Sequence, residues 1–235
     1  MTPPPQPTAG PQLVALDGGC FTGKTTLATV LASQLGATAI PEYADLAPLP
    51  PYPPRTLDDV HAGLDHLCRL EQQRTDLARR LRTHLVLFDR SPLSCIAYQQ
   101  AISHLGVPAD PHYAAGVFTD AVHAGAALPP DRYLYLRLPR ETVLARQRHR
   151  GPVQPHLVDP RFTTANDHAS LRYLAMLPDD RRLILDADRP ISQLAATAAA
   201  FFATPPTSPA PTAWTRMLDT PHGQPRTPAP APHPA

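Results

Sequence analysis

No run of about 18 consecutive apolar residues occurs in this sequence, so it offers no membrane-spanning helix. No basic segment leading into a hydrophobic one opens the chain, and no secretory signal is expected. Cysteine is scarce. Cys20, Cys68 and Cys95 lie far apart without C-x-x-C or Cys/His metal spacing, and they read as reduced thiols of a cytoplasmic protein. The 11 histidines form no H-E-x-x-H or similar arrangement, so His61, His66, His149 and His156 read as surface residues. Neither sign of charge is in excess. A net charge of +1 gives no bulk electrostatic reason for a nucleic-acid or anionic-membrane partner. The Asn-Lys-x-Asp motif of guanine-nucleotide switches is also missing.

Proline is what the chain has in quantity, and it is densest at the ends. Pro3, Pro4, Pro5, Pro7 and Pro11 make residues 1–11 an arm without helix or interior strand. From Thr204 to Ala235 proline recurs every few residues, giving a tail too polar to pack a core. Its one island, Trp214 to Leu218, holds the only tryptophan. Residues 12–203 are long enough for one α/β domain.

Within that span strands and helices alternate. Strands are expected at 12–17, 37–41, 85–88, 133–138 and 182–185. Helices are expected at 24–35, 56–82, 92–105, 111–127, 140–150, 160–177 and 192–202. Thr56 caps the long helix, which carries Asp58 and Asp59 in its first turn and Leu57, Val60, Leu64, Leu67, Leu70, Leu77 and Leu81 at helical spacing. The alternation implies a three-layer α/β fold, a five-stranded parallel sheet with helices on both faces. A proline-rich loop, Pro48 to Pro54, is too long for a minimal turn and is a candidate for function.

The chemistry is concentrated in Gly18-Gly19-Cys20-Phe21-Thr22-Gly23-Lys24-Thr25, with Thr26 next to it. This is G-x-x-x-x-G-K-[ST] between a strand and a helix, the phosphate-binding loop in its required setting. The glycines let successive N–H groups turn inward around phosphates, and the helix N-terminus adds its positive end. Lys24 places a charge at the β- and γ-phosphates, and the Thr25 hydroxyl can coordinate Mg²⁺. ATP with Mg²⁺ is therefore the expected cofactor pair.

Three further pieces follow in order. Asp89, at the end of an apolar strand, can hold water on the metal, and Arg90 beside it can hold an acceptor oxygen. Glu42, with Tyr43 next to it, ends the second strand and can serve as base for an acceptor hydroxyl or hydrate the metal. Arg146 and Arg150, one helical turn apart, belong to a basic helix ended by Gly151-Pro152. That segment, about 140–159, reads as an arginine-rich lid.

Together these segments resemble the thymidylate kinase and deoxynucleoside kinase group of P-loop kinases. Asp89-Arg90-Ser91 through Ala97-Tyr98-Gln99 is similar to the Asp-Arg-Tyr…Ala-Tyr-Gln run of thymidylate kinases, and its opening is closer to the Glu-Arg-Ser of deoxynucleoside kinases. Pro41-Glu42 resembles their Pro-Glu-Pro, and Leu185-Asp186-Ala187-Asp188-Arg189-Pro190 the loop near the adenine. The resemblance implies that Tyr98 flanks the acceptor base, that Gln99 hydrogen-bonds it, and that Arg69 or Arg74 on the long helix faces the acceptor. It also implies phosphoryl transfer to a nucleoside or nucleoside monophosphate, and a homodimer through long helices. The chain departs from thymidylate kinases in two places. Cys20-Phe21 replaces the acidic residue usual in the phosphate loop, and Pro-Glu-Tyr-Ala replaces Arg-Glu-Pro-Gly. A kinase for a non-nucleotide metabolite or antibiotic, and a switch ATPase with a protein partner, are the alternative readings.

Overall fold

The computed structural model describes residues 10–151 and 153–208. Most of the N-terminal arm, Pro152, and the tail from residue 209 with its Trp214 island lie outside the described residues. The chain runs β1 (Gln12–Gly18), α1 (Lys24–Leu35), β2 (Thr38–Ile40), a one-turn α2 (Tyr43–Leu46), α3 (Leu57–Arg80), β3 (Leu85–Asp89) and α4 (Pro92–Ser103). It continues through α5 (Pro111–His123), β4 (Arg132–Arg137), α6 (Arg140–Arg150), α7 (Pro160–Ala175), β5 (Arg182–Asp186) and α8 (Ile191–Ala203). Short 3-10 turns precede α7 and β5, at Pro155–Val158 and Asp179–Arg181.

The five strands form one parallel sheet in the order β2-β3-β1-β4-β5. A strand covered on both faces should be apolar throughout, and Leu85 to Asp89 is buried at every position. The strand period sorts the core into two layers. Ala15 of β1 with Tyr133 and Tyr135 of β4 packs with residues of α3, α4, α5 and α7. Val14 and Leu16 with Leu134 and Leu136 pack against α1 and α8. Because β1 lies between β3 and β4, its carboxyl end opens at the point where the strand order reverses, the usual position of a ligand crevice in such sheets.

The helix starts follow their caps. Thr56 Oγ1 accepts from Asp59 N at 3.1 Å while Asp59 Oδ2 accepts from Thr56 N at 3.0 Å, a closed capping box. Ser91 and Asp159 cap α4 and α7, each followed by proline in the first turn. Two expectations need correction. Helix α5 stops at His123, because Gly125 takes φ 69° and the N–H groups of Ala126 and Ala127 turn back to Ala121 O. On α3, Leu57 and Leu77 are 50% and 41% exposed, whereas Glu71, Arg74 and Thr75 are buried. The face that meets the sheet is held there by an ion pair as well as by leucines. Among the described residues no helix is long and apolar enough to cross a membrane.

Candidate active site

The phosphate loop joins β1 to α1. At Gly18, φ is 142°, and a Cβ would stand 2.4 Å from the carbonyl oxygen of Leu136, so only glycine fits between β1 and β4. No side chain caps the N-terminus of α1, which leaves its first N–H groups for an anion. Lys24 is 6% exposed, and its Nζ donates to the carbonyls of Gly18 at 3.1 Å and Gly19 at 2.8 Å. Burial, then the nearby charge of Arg90, lowers its pKa to about 8. Thr22 Oγ1 donates to Gly19 O at 3.0 Å and closes the loop. Phe21, with φ 63°, is one of two described non-glycine residues in the left-handed region; Arg90, with φ 67°, is the other. Thr26 is exposed beyond the loop.

Thr25 and Asp89 meet as the sequence implies. Thr25 Oγ1, in the first turn of α1, donates to Asp89 Oδ2 at the end of β3, at 2.5 Å. Asp89 Oδ1 is buried and has no hydrogen-bond partner among the described residues. A hydroxyl beside a carboxylate with an unused buried oxygen suits Mg²⁺, which takes few protein ligands and keeps its waters. Glu42 accepts from Arg90 Nε at 2.5 Å, and Arg90 also reaches Cys20 Sγ at 3.9 Å. Burial works to raise the Glu42 carboxyl, but the charge and hydrogen bond of Arg90, then Lys24 and Arg74, hold it below its ordinary value.

The left-handed backbone of Arg90 is fixed from behind. Its N–H donates to Leu16 O at 2.9 Å. Arg74, fully buried on α3, donates from Nη2 to the carbonyls of Asp89 and Arg90, each at 2.8 Å, and from Nη1 to Glu71 at 2.7 Å. Tyr43 donates its hydroxyl to Glu71 at 2.9 Å, beneath the Arg74 guanidinium. Arg74 therefore clamps the strand end that carries Asp89 and Arg90, and Tyr43 supports the clamp. Asp17 is a second support that sequence reading passed over. It is 1% exposed and accepts from Ser91 N at 3.2 Å, Ser91 Oγ at 2.6 Å and Ser94 Oγ. Its signal was present in the chain: an acid at the carboxyl end of an otherwise apolar strand, directly before the phosphate loop.

Of the two arginines expected in a lid, Arg146 reaches the loop. It donates to the carbonyls of Phe21 at 3.1 Å, Thr22 at 3.4 Å and Ala187 at 2.9 Å, so it joins the phosphate loop to the turn after β5. Arg150 is exposed in the last turn of α6, away from those carbonyls. No residue of α6 is buried, as suits an element that packs lightly.

One cavity of about 1510 Å³ connects these groups. It is lined by Gly18, Gly19 and Cys20 of the loop, by Glu42 and Arg90, and farther out by Tyr98, Gln99 and the 48–55 loop. Gln99 Oε1 is engaged by Asp110 N at 3.0 Å. Arg69 is a correction: it lies on the exposed side of α3 between buried Cys68 and Leu70 and does not line the cavity. His156 is another. It is 5% exposed, stacked on Tyr52 at 3.5 Å between ring centroids, and hydrogen-bonded through Nε2 to Tyr98 Oη at 2.9 Å. Burial lowers its pKa to about 4. His61, too, is half-buried, 2.9 Å from Asp110.

Comparison with known proteins places this geometry in context. The AAA domain family matches residues 13–176. No curated protein matches the chain. The deoxyadenosine kinase of M. mycoides with bound dATP superimposes with a TM-score of 0.63 at 16% identity, covering 81% of this chain and 99% of that one. The thymidylate kinase of Candida albicans gives a TM-score of 0.60 at 19% identity, over 83% of this chain and 92% of that one. These structures share the fold, a P-loop kinase fold with a five-stranded parallel sheet.

Proposed function

We propose, for a chain that belongs to the AAA domain family, that the site transfers a phosphoryl group from ATP to the hydroxyl of a small acceptor. One observation carries this reading: a single cavity is lined at one end by the phosphate loop and beside it by the Glu42–Arg90 pair. A nucleotide switch needs the first and has no use for the second. The neighbours' names point to nucleoside-type acceptors, and the residues of this chain favour an acceptor hydroxyl over an acceptor phosphate. A carboxylate 2.5 Å from Arg90 would oppose a monophosphate dianion, but it can orient a hydroxyl and take its proton.

In this reading residues 12–203 form the catalytic domain and residues 140–159 its lid. Lys24 and the loop N–H groups bind the β- and γ-phosphates. Thr25 and Asp89 would hold Mg²⁺, which when bound supplies charge neutralisation at those phosphates. The acceptor oxygen attacks the γ-phosphorus, its proton passes to Glu42, and ADP leaves with the electron pair of the broken P–O bond. Arg90 holds the acceptor oxygen, and Arg146 trades backbone carbonyls for phosphate oxygens as charge spreads in the transition state. Glu42→Gln tests the assignment. It keeps the hydrogen bond from Arg90 but cannot accept a proton, so kcat should fall about 10²- to 10⁴-fold with ATP affinity retained. ADP release with an active acceptor reads this, and an unchanged kcat would remove Glu42 from the chemistry.

Lys24 adds a pH signature. Phosphates favour its charged form, so ATP binding raises a pKa that starts at about 8. Binding at pH 8 should therefore take up about half a proton, and affinity should weaken as pH rises through that range. Calorimetry in two buffers of different ionisation enthalpy measures the uptake. A net proton release would contradict the placement of Lys24 at the phosphates.

A further inference from the structure

We propose that the acceptor is a neutral alcohol with a flat, apolar aromatic body, held against the cluster of aromatic rings that lines the outer part of the cavity. The proposal rests on the transfer reading above and narrows its acceptor.

The outer chamber brings together rings from four places in the chain. Tyr52 comes from the proline-rich loop, Tyr98 from α4, His156 from the 3-10 turn before α7, and Phe162 from α7. Tyr52 and His156 stack at 3.5 Å with 21° between planes. Tyr98 and Phe162 meet edge to face at 5.4 Å, and each presents an edge to His156, at 5.7 Å and 5.4 Å. These rings pack on one another, and the parts of them that line the cavity offer a planar apolar group dispersion and quadrupole contacts. The prolines of the loop and Val60, Leu64 and Ile102 complete an apolar wall.

The charges that a phosphorylated or ionic acceptor would need are committed or screened. Arg90 is paired with Glu42. Arg74 is buried against Glu71 and the backbone of β3. Arg55 and Arg140 line the cavity but are exposed to solvent, where a charge is worth little. His156, in its hydrophobic setting, is neutral at pH 7 and adds no charge.

The polar groups that would read the edge of a base are also partly committed. The carbonyl of Gln99 already accepts from Asp110 N, and Asp167 accepts from the Tyr135 hydroxyl at 2.7 Å. A base would meet Gln99 as an amide held in place by Asp110, with its Nε2 donor and one carbonyl lone pair still open. His156 Nδ1 is buried without a hydrogen-bond partner among the described residues, so the ring meets the cavity as an apolar wall. Most of the wall is apolar, with Asn166 and Gln154 as further polar groups along it.

Binding is tested without turnover. The full chain is titrated with 2-(2-naphthyl)ethanol, a fluorescent neutral aromatic alcohol, and displaced with thymidine or thymidine monophosphate. Saturable binding is expected, weakened about tenfold by Tyr52→Ala and by Phe162→Ala. Thymidine should need at least about tenfold higher concentration to displace the probe, and the monophosphate more still. No saturable binding, unchanged binding in both variants, or displacement by either thymidine compound at concentrations like those of the probe would overturn the proposal. ADP formation is then measured separately. Intact probe binding with no ADP formed from any acceptor would count against the transfer reading and leave the chamber assignment standing.

Discussion

Lys24→Ala should lower kcat/KM by about three orders of magnitude with any acceptor. The side chain is 94% buried at the base of the loop (6% exposed), and both of its hydrogen bonds go to carbonyls of the loop itself. In the proposed reading its charge is therefore already oriented at the place where the β- and γ-phosphates lie. Its lowered pKa shows that the folded chain bears a cost in keeping the ammonium charged there. That cost has a sign. Between pH 8 and 10.5 the unfolded chain binds more protons at Lys24 than the folded one, so Lys24 makes stability rise with pH in that window. The alanine variant should lose this rise as well as the activity. Steady-state kinetics and denaturant melts at pH 7.5 and 9.5 read both. Retention of transfer within tenfold of the parent would rule out the proposed role.

Arg74→Met should have the largest effect on stability. Arg74 is 0% exposed, bonded to Glu71 and to two carbonyls, and lies over the rings of Tyr43 and Phe88. Methionine fills much of the volume but strands Glu71, whose pKa burial already pushes upward against the pull of Arg74. Breaking such a pair from one side costs about 3–5 kcal/mol. For a domain of this size the melting midpoint should fall by roughly 10 °C or more. The double variant Glu71→Gln/Arg74→Met removes the stranded charge and should recover part of that loss. Activity supplies the second readout. Without Arg74 no other described residue bonds the Arg90 carbonyl, so kcat should drop even well below the melting range. An unchanged melting point together with an unchanged kcat would show that the clamp is dispensable.

The sequence carried the fold and the donor end of the site because their signals are local. Strand, loop and helix around Gly18 to Thr25 sit within a few residues of one another, and the apolar run ending at Asp89 marks its own strand. The supports were harder to read because they span the chain. Asp17 meets Ser91 across 74 positions, and His156 meets Tyr98 across 58. Nothing near His156 in sequence distinguishes a buried, neutral ring from a surface one. Its burial comes from Tyr52, on a proline-rich loop whose path no periodicity describes. The resemblance puts Arg69 ahead of Arg74, and only the helix phase against the sheet separates an exposed side chain from a buried clamp.

The carboxylate of Asp17 has a consequence for selectivity. It directly precedes Gly18, and it holds both Ser91, the cap of α4, and Ser94 in the first turn of that helix. Helix α4 in turn carries Tyr98 and Gln99. That side chain thus sets the span from the phosphate loop to Tyr98, and in the proposed reading the pocket acts as a ruler. Acceptors whose spacer between hydroxyl and ring is a carbon too long or too short can still lie against the rings. They will present the oxygen off line, so the penalty for wrong length will appear in turnover rather than in affinity.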